Sequence, residues 1–131
     1  MKKMISLLAA TLLFTTVSIA QGAQPIEGAW GMQMNQNGFL MDMTFQIGNG
    51  AVTLINVCTF MGRSSRVTVS APANWDSRTL TVTGNASGSE SQNGVDCNAS
   101  LRPDRMNYTV SGNLLTLSHD GSSESFTLVR K

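Results

Sequence analysis

Methionine is the residue type with the most distinctive spacing in this 131-residue chain. Four of the eight methionines form two Met-x-Met pairs, Met32 with Met34 and Met41 with Met43. Alternation with period 2 predicts that both pairs face inward on neighbouring strands. Thioether sulfur binds Cu(I), and methionine also forms flexible walls of apolar pockets or fills irregular cores. The pattern therefore permits a copper site, an apolar binding wall or plain core packing.

Side chains for catalysis are sparse. The only histidine, His119, lies beside Asp120 in a predicted turn, and no serine occupies a Gly-x-Ser-x-Gly elbow. The acidic residues occur singly, on outward faces of predicted strands. We therefore expect a protein that is not an enzyme and has no catalytic residues and no cofactor. Met-x-Met beside a tryptophan on a small barrel resembles the periplasmic Cu(I)/Ag(I) chaperones of the OB-fold type, and that resemblance implies a histidine ligand as well. Copper binding is kept as a third hypothesis only, because His119 lies far from the methionine pairs in the predicted fold.

The charge balance argues against a nucleic-acid partner. Nine Lys and Arg residues stand against eight Asp and Glu residues, giving a formal net charge of +1, and the basic residues form no run. Binding to a polyanion needs clustered Lys and Arg, so we expect no such activity. With 41% hydrophobic residues, the chain can form a packed core, and its length fits one domain.

The N-terminus has the three parts of a secretory signal peptide. Lys2 and Lys3 precede an apolar run, and small residues offer cleavage after Ala20 or Ala23. The apolar stretch of about 16 residues is short for a membrane span, which needs about 20. The sequence predicts a cleaved signal at residues 1–23 and a mature domain at 24–131. We expect a periplasmic or secreted protein with no membrane span in the mature chain.

Cys58 and Cys97 are the only cysteines, and both lie in the predicted mature chain. An even pair in a small exported domain favours a disulfide, and the absence of a Cys-x-x-Cys spacing argues against a redox or metal role. Closing a loop of about 40 residues stabilises a domain by roughly 4 kcal/mol in the chain-entropy account.

Alternation of apolar and polar residues predicts strands along almost the whole mature chain. The clearest strand has an unbroken apolar face, made by Phe39, Met41, Met43, Phe45 and Ile47. Gly48, Asn49 and Gly50 predict a tight hairpin after it. Residues 84–94 contain almost no apolar side chain and predict a mobile loop. We expect an all-β fold, a single antiparallel up-and-down barrel of eight or nine short strands, because closure removes exposed sheet edges.

The two ends of the chain resemble the lipocalin and wider calycin families. The motif Gly28-Ala29-Trp30 opens the first strand, and Arg130 lies near the end of the last. Residues 108–117 are also similar to the tail of short bacterial lipocalin-like domains. The resemblance implies that the guanidinium of Arg130 lies over the indole of Trp30, which stabilises a barrel by about 0.5–2 kcal/mol. Both residues are therefore expected to be structural.

The leading functional hypothesis is a lipocalin-like protein that binds a small apolar ligand in or at the mouth of the barrel. The predicted ligand-binding residues are Met32, Met41, Met43, Phe45, Trp75 and Tyr108, with Trp75 and residues 84–94 near the mouth. The alternative is a protein-binding or inhibitor module that acts through loops and the N-terminal segment from Ala23 to Ile26, loosely resembling bacterial inhibitors of secreted metalloproteases. An internal void of a few hundred Å³ would favour the ligand, and a filled barrel would favour a protein partner.

Overall fold

The computed structural model describes residues 26–119 and 121–131. The predicted signal peptide lies outside the described residues, as does Asp120. The described part of the chain forms strands and turns without helix, so it contains no apolar helix long enough to cross a membrane. The strands are β1 Gly28–Gln36, β2 Phe39–Gly48, β3 Ala51–Phe60, β4 Arg63–Trp75, β5 Thr79–Val82, β6 Ala86–Gln92, β7 Val95–Leu101, β8 Asp104–Ser111, β9 Leu114–Ser118 and β10 Ser125–Arg130.

Eight of these strands close into an antiparallel barrel in the order β9-β10-β1-β2-β3-β4-β5-β8. The predicted all-β, up-and-down barrel is therefore confirmed. Each strand pairs with its neighbour in the chain, except that the hairpin β6–β7 is inserted between β5 and β8. Closure depends on the pairing of the first and last strands, where Trp30 lies opposite Arg130 and Gly31 opposite Val129.

Two-residue turns with positive φ at both positions connect several of the strands. They are Asn37 and Gly38, Asn49 and Gly50, Met61 and Gly62, and Asn93 and Gly94. This backbone matches the right-handed twist of the strands, and Asn followed by Gly is its preferred sequence. We call the barrel end that carries the β1–β2 and β3–β4 turns the mouth. The opposite end, which carries the β2–β3 and β4–β5 turns, is the closed end.

The prediction of a mobile loop at residues 84–94 is wrong. Residues 86–92 form β6, which pairs in register with β7. Its polar side chains bond across the hairpin, with Ser89 donating to Asn98 and Ser91 donating to Asp96, both at 2.7 Å. A Cβ at Gly88 would lie 3.0 Å from Val67 and Val69, so glycine lets β6 lie close against β4.

The hairpin β6–β7 covers the inner faces of β3 and β4 toward the mouth. The disulfide Cys58–Cys97 joins it to β3, as predicted, with both residues buried. Asn56 donates from Nδ2 to the backbone oxygen of Asn98 at 2.7 Å. This layer has its own apolar core, and the buried members are Leu54, Cys58, Val67, Val69, Val95, Cys97 and Ala99.

The main core fills the barrel and is sealed at the closed end by the pair predicted from the lipocalin resemblance. Trp30 is fully buried, its Nε1 donates to the backbone oxygen of Ile26 at 2.8 Å, and the guanidinium carbon of Arg130 lies 4.1 Å from the centre of its ring. Arg130 also donates to the backbone oxygen of Glu27 at 3.3 Å. The guanidinium thus lies over the indole, which is the contact expected from the resemblance.

Candidate binding site at the mouth of the barrel

The barrel interior has little free volume. An enclosed, wholly apolar cavity of about 60 Å³ lies near the middle, lined by residues that include Phe45, Leu101, Met106 and Leu117. Small-molecule sites are usually clefts of roughly 300–1,000 Å³. The cavity is therefore too small for an organic ligand of that kind. By the criterion of internal volume, a protein partner is favoured over a ligand held within the barrel, and a ligand could be held only outside the interior.

A larger space lies at the mouth, where β1 extends beyond its pairing with β10. Residues 32–36 pair with β2 on one side only, because the pairing of β10 with β1 is confined to Trp30 and Gly31. The inner face of the β1–β2 hairpin is consequently half-open, and Met34 is 45% exposed. A groove of about 440 Å³ runs along it, lined by Met34, Asn35, Gln36, Phe39 and Met41. We call this the mouth groove.

The strand register brings four methionines together beside the groove. Met32 lies directly opposite Met43, and Met34 lies directly opposite Met41. Because alternate residues of a strand face the same side, the two pairs share one face of the sheet. Met32 and Met43 also pack against the two cores. We call Met32, Met34, Met41 and Met43 the methionine quartet.

Exposed aromatic and apolar side chains continue this surface onto the β3–β4 turn. Phe60 lies opposite Phe39, with ring centres 6.3 Å apart and planes tilted by 40°. Phe60 is 37% exposed, and Met61 in the turn is 76% exposed. We call Phe39, Phe60 and Met61 the apolar tip.

The structure assembles only some of the predicted ligand-binding residues. Met32, Met41, Met43 and Phe45 lie on one face of β1 and β2. Trp75 and Tyr108 do not join them, since Trp75 ends β4 toward the closed end and Tyr108 is buried in the main core. Trp75 therefore lies away from the mouth, whereas the tip of the β6–β7 hairpin reaches it, with Asn93 donating to the backbone oxygen of Ser64 at 3.2 Å. Several groove and tip residues escaped the sequence prediction, namely Met34, Asn35, Gln36, Phe39, Phe60 and Met61.

Two signals could have indicated these missed residues. Met34 belongs to the same Met-x-Met pattern as the predicted residues, and Asn37-Gly38 is the preferred sequence of a two-residue turn, which leaves Asn35 and Gln36 to the strand. The polar run from Asn35 to Gly38 is typical of a four-residue turn, whereas the turn itself is limited to Asn37 and Gly38. Because two-residue turns need so few residues, the strands around them extend further than composition suggests.

The polar groups with perturbed pKa values lie at the closed end. The Asp76 carboxylate accepts hydrogen bonds from the backbone N–H groups of Arg78 and Thr79, both at 2.8 Å, and these lower its pKa. Burial, followed by the nearby charge of Asp76, raises the pKa of the Tyr108 hydroxyl. That hydroxyl donates to the backbone oxygen of Asp76. These contacts fasten the β4–β5 turn and are remote from the mouth groove.

Neither the histidine nor the predicted inhibitory segment forms a functional site among the described residues. His119 lies 2.7 Å from the Asp104 carboxylate in an exposed pair. Among residues 26–119 and 121–131, no three His, Cys, Asp or Glu side chains cluster so as to hold a metal ion. Ile26 is fully buried and therefore not presented to a partner, while residues 23–25 of the predicted inhibitory segment lie outside the described residues.

Comparison with protein-family models, curated proteins and solved structures found no match to this chain. The barrel is established by its strand pairing, and the resemblance to lipocalins rests on the Gly28-Ala29-Trp30 motif together with Arg130.

Proposed function

We propose that this is an exported, non-enzymatic binding protein that holds a small apolar molecule in the mouth groove rather than inside the barrel. The observation that supports this most directly is the half-open, apolar inner face of the β1–β2 hairpin, where Met34 is 45% exposed beside a groove of about 440 Å³. The space is within the usual size of a ligand cleft. The interior, at about 60 Å³, is not.

The groove lining also suggests the chemistry of the ligand. Met34, Met41 and Phe39 offer an apolar wall, and thioether side chains adjust easily to different shapes. Asn35 and Gln36 contribute amides at the outer end of the groove. A few polar groups in an apolar cleft orient a ligand rather than provide most of its affinity. We therefore propose a ligand with an apolar body and one polar group.

Titration with the fluorescent apolar probe N-phenyl-1-naphthylamine tests this proposal. Met34→Gln is expected to weaken binding roughly tenfold, which corresponds to about 1.4 kcal/mol of lost apolar contact. Leu114→Gln is the matched control, because Leu114 is equally exposed at 45% but lies on the outer face of the barrel. Absence of binding, or equal loss in both variants, would contradict the proposal.

Export is tested separately, by expressing the full chain in a bacterium and measuring the mass of the protein recovered outside the cytoplasm. The predicted signal gives a product that begins at residue 21 or residue 24. Retention of the full-length chain in the cytoplasm would contradict export without affecting the ligand proposal.

Binding of a protein partner through the apolar tip is the second candidate function. Met61 favours it, because a large apolar side chain is 76% exposed and has a φ of 54°. Non-glycine residues rarely adopt positive φ unless turn or function requires it, and methionine lacks the local hydrogen bonding of asparagine there. A strained, exposed apolar residue is typical of a contact maintained for function.

A photo-crosslinking side chain at position 61 tests this second candidate in an extract of the source organism. We expect one defined adduct, and we expect Met61→Asn to prevent capture of the same protein by immobilised chain. A crosslinking side chain at exposed Val129, on the opposite side of the sheet, is the control. The same adduct from both positions would exclude a specific partner at the tip.

A further inference from the structure

We propose that the methionine quartet is a binding site for one soft monovalent metal ion, Cu(I) or Ag(I). This inference is separate from the proposed apolar ligand, since it depends on the sulfur atoms and not on the volume of the mouth groove. Thioethers are soft, neutral donors that select Cu(I)-type ions over hard cations such as Mg²⁺ or Ca²⁺.

The register of β1 and β2 gives the quartet a suitable geometry. Met32 lies opposite Met43, and Met34 lies opposite Met41. Cross-strand partners have Cβ atoms about 5 Å apart, and residues two positions apart along a strand are separated by about 6.7 Å. The four Cβ atoms therefore mark the corners of a small rectangle. Each sulfur lies two bonds beyond Cβ on a flexible side chain, so all four can reach the space above its centre.

The degree of burial distinguishes this cluster from ordinary core packing. Met34 is 45% exposed, and the other three members are only partly buried. A side chain that remains partly in water gains less from the hydrophobic effect than a core residue does. The quartet is thus open to an ion from solvent, while Met32 and Met43 stay anchored against the two cores.

The surroundings leave the thioethers as the donors for such an ion. Both cysteines are joined in a buried disulfide. The histidine is paired with Asp104, and the described residues contain no cluster of three His, Cys, Asp or Glu. A thioether carries no proton to be displaced by a metal, unlike a thiol or an imidazolium. The affinity of this site is therefore expected to change little between neutral and mildly acidic pH.

Titration of the protein with Ag(I) tests the inference without a reductant that would attack the disulfide. Isothermal calorimetry is expected to give one ion per chain. With ¹³C-methyl-labelled methionine, the quartet methyl signals should shift in NMR spectra, whereas Met61 and Met106 should not. Met61 is the internal control for a lone exposed thioether. Repeating the titration at mildly acidic pH should give a similar affinity.

Leucine substitutions test whether the sulfur atoms of the quartet hold the ion. Met41→Leu with Met43→Leu conserves volume and apolarity, which cores usually tolerate, and removes two sulfurs. We expect the affinity for Ag(I) to fall roughly tenfold or more. Met61→Leu with Met106→Leu is the matched control and should keep full Ag(I) affinity. Circular dichroism checks that each variant is folded.

The outcomes that would overturn the inference are distinct from failure of the proposed function. Three results would each exclude the quartet as a metal site. They are the absence of stoichiometric Ag(I) binding, a shift of the Met61 methyl signal as large as those of the quartet, and unchanged Ag(I) affinity in the Met41→Leu, Met43→Leu variant. Ag(I) binding at the quartet without any binding of the apolar probe would instead contradict the proposed apolar ligand and leave the metal site supported.

Discussion

Met61 occupies a backbone position that other turns of this chain give to asparagine. Asn37, Asn49 and Asn93 have φ values of 53–55° and are each followed by glycine, and Met61 has a φ of 54° before Gly62. Asparagine tolerates this conformation because its side chain can bond locally, whereas an ordinary side chain is disfavoured by about 1–2 kcal/mol. If this methionine is kept for contact with a partner, the turn is less stable than it would be with asparagine at the same position.

Met61→Asn is therefore expected to raise the free energy of unfolding by about 1 kcal/mol. Urea denaturation monitored by circular dichroism measures the change. The matched reverse substitution is Asn49→Met, in the corresponding turn between β2 and β3, which should lower stability by a similar amount. If Met61→Asn had no effect or destabilised the protein, the strain assigned to this turn would be wrong.

Tyr108 connects the closed end to the main core through its hydroxyl, which donates to the backbone of Asp76. Replacing it with phenylalanine is expected to lower the free energy of unfolding by about 1 kcal/mol at neutral pH, the usual net value of such a bond. Because folding raises the pKa of this hydroxyl above its ordinary value of 10.0, its contribution is complete below that pH and is lost as pH rises through the folded-state pKa.

The difference in free energy of unfolding between the wild-type protein and Tyr108→Phe should accordingly become smaller at alkaline pH. Urea denaturation at a series of alkaline pH values measures this difference. Tyr108 is the only tyrosine of the chain, so ultraviolet absorbance follows its ionisation directly. Titration at or below the ordinary tyrosine pKa would contradict the assignment.

The hairpin β6–β7 is the element whose attachment differs most from the rest of the sheet. Its strands pair only with each other, so no ladder joins them to the barrel. It is held by the disulfide, by the apolar layer it forms with β3 and β4, and by side-chain bonds such as Asn56 to Asn98. An element attached in this way is expected to open more readily than the barrel.

Changing both Cys58 and Cys97 to alanine should therefore release the hairpin before the barrel. The loop spans 39 residues, and we expect a loss of roughly 4 kcal/mol in the free energy of unfolding. Hydrogen exchange should accelerate in the amides of β6 and β7 more than in those of β2. Equal acceleration in both elements would show that the hairpin and the barrel unfold as one unit.

The elements differ in how far the sequence predicts them. β2 is predicted well, because one of its faces is apolar over its full length and a glycine-rich turn joins it to β3. The alternation of β3 is less regular, since Ile55 and Val57 lie on its opposite face. β6 is not predicted from the sequence, because its inner face needs only small residues where it lies on Val67 and Val69. Its hydrogen bonds are made to β7, and neither contact leaves an apolar signal in the sequence.

At the scale of the whole molecule, closure of the barrel depends on a short seam. β10 and β1 share only two register pairs, and the side chains at that point reinforce them. Arg130 covers Trp30, while Lys131 crosses Gly31 and donates to Thr44 at 2.7 Å and to Asp42 at 3.3 Å. A Cβ at Gly31 would lie too close to Cε of Lys131, so a larger residue there would displace the lysine side chain.

Arg130→Ala is expected to lower the free energy of unfolding by about 1–2 kcal/mol, through loss of the stacked guanidinium. Thermal unfolding followed by tryptophan fluorescence measures it. Arg130→Lys should recover only part of the stability, because an ammonium group cannot stack as a planar guanidinium does. Arg102→Ala, which removes an exposed arginine outside the strands, is the control and should be close to neutral. Full stability in Arg130→Ala would contradict the role of this pair.

The sequence by itself determined the strand segments other than β6, the side on which most side chains lie, the cysteine pair and, through the lipocalin resemblance, the meeting of Trp30 with Arg130. These follow from alternation and from the pairing of first and last strands, which are properties of the local pattern and of barrel topology. Only the tertiary structure decided that the barrel is filled, that residues 86–92 dock as a strand, and that the methionine quartet lies at a half-open mouth. Free volume and exposure are sums over contacts between distant segments, so no local pattern encodes them.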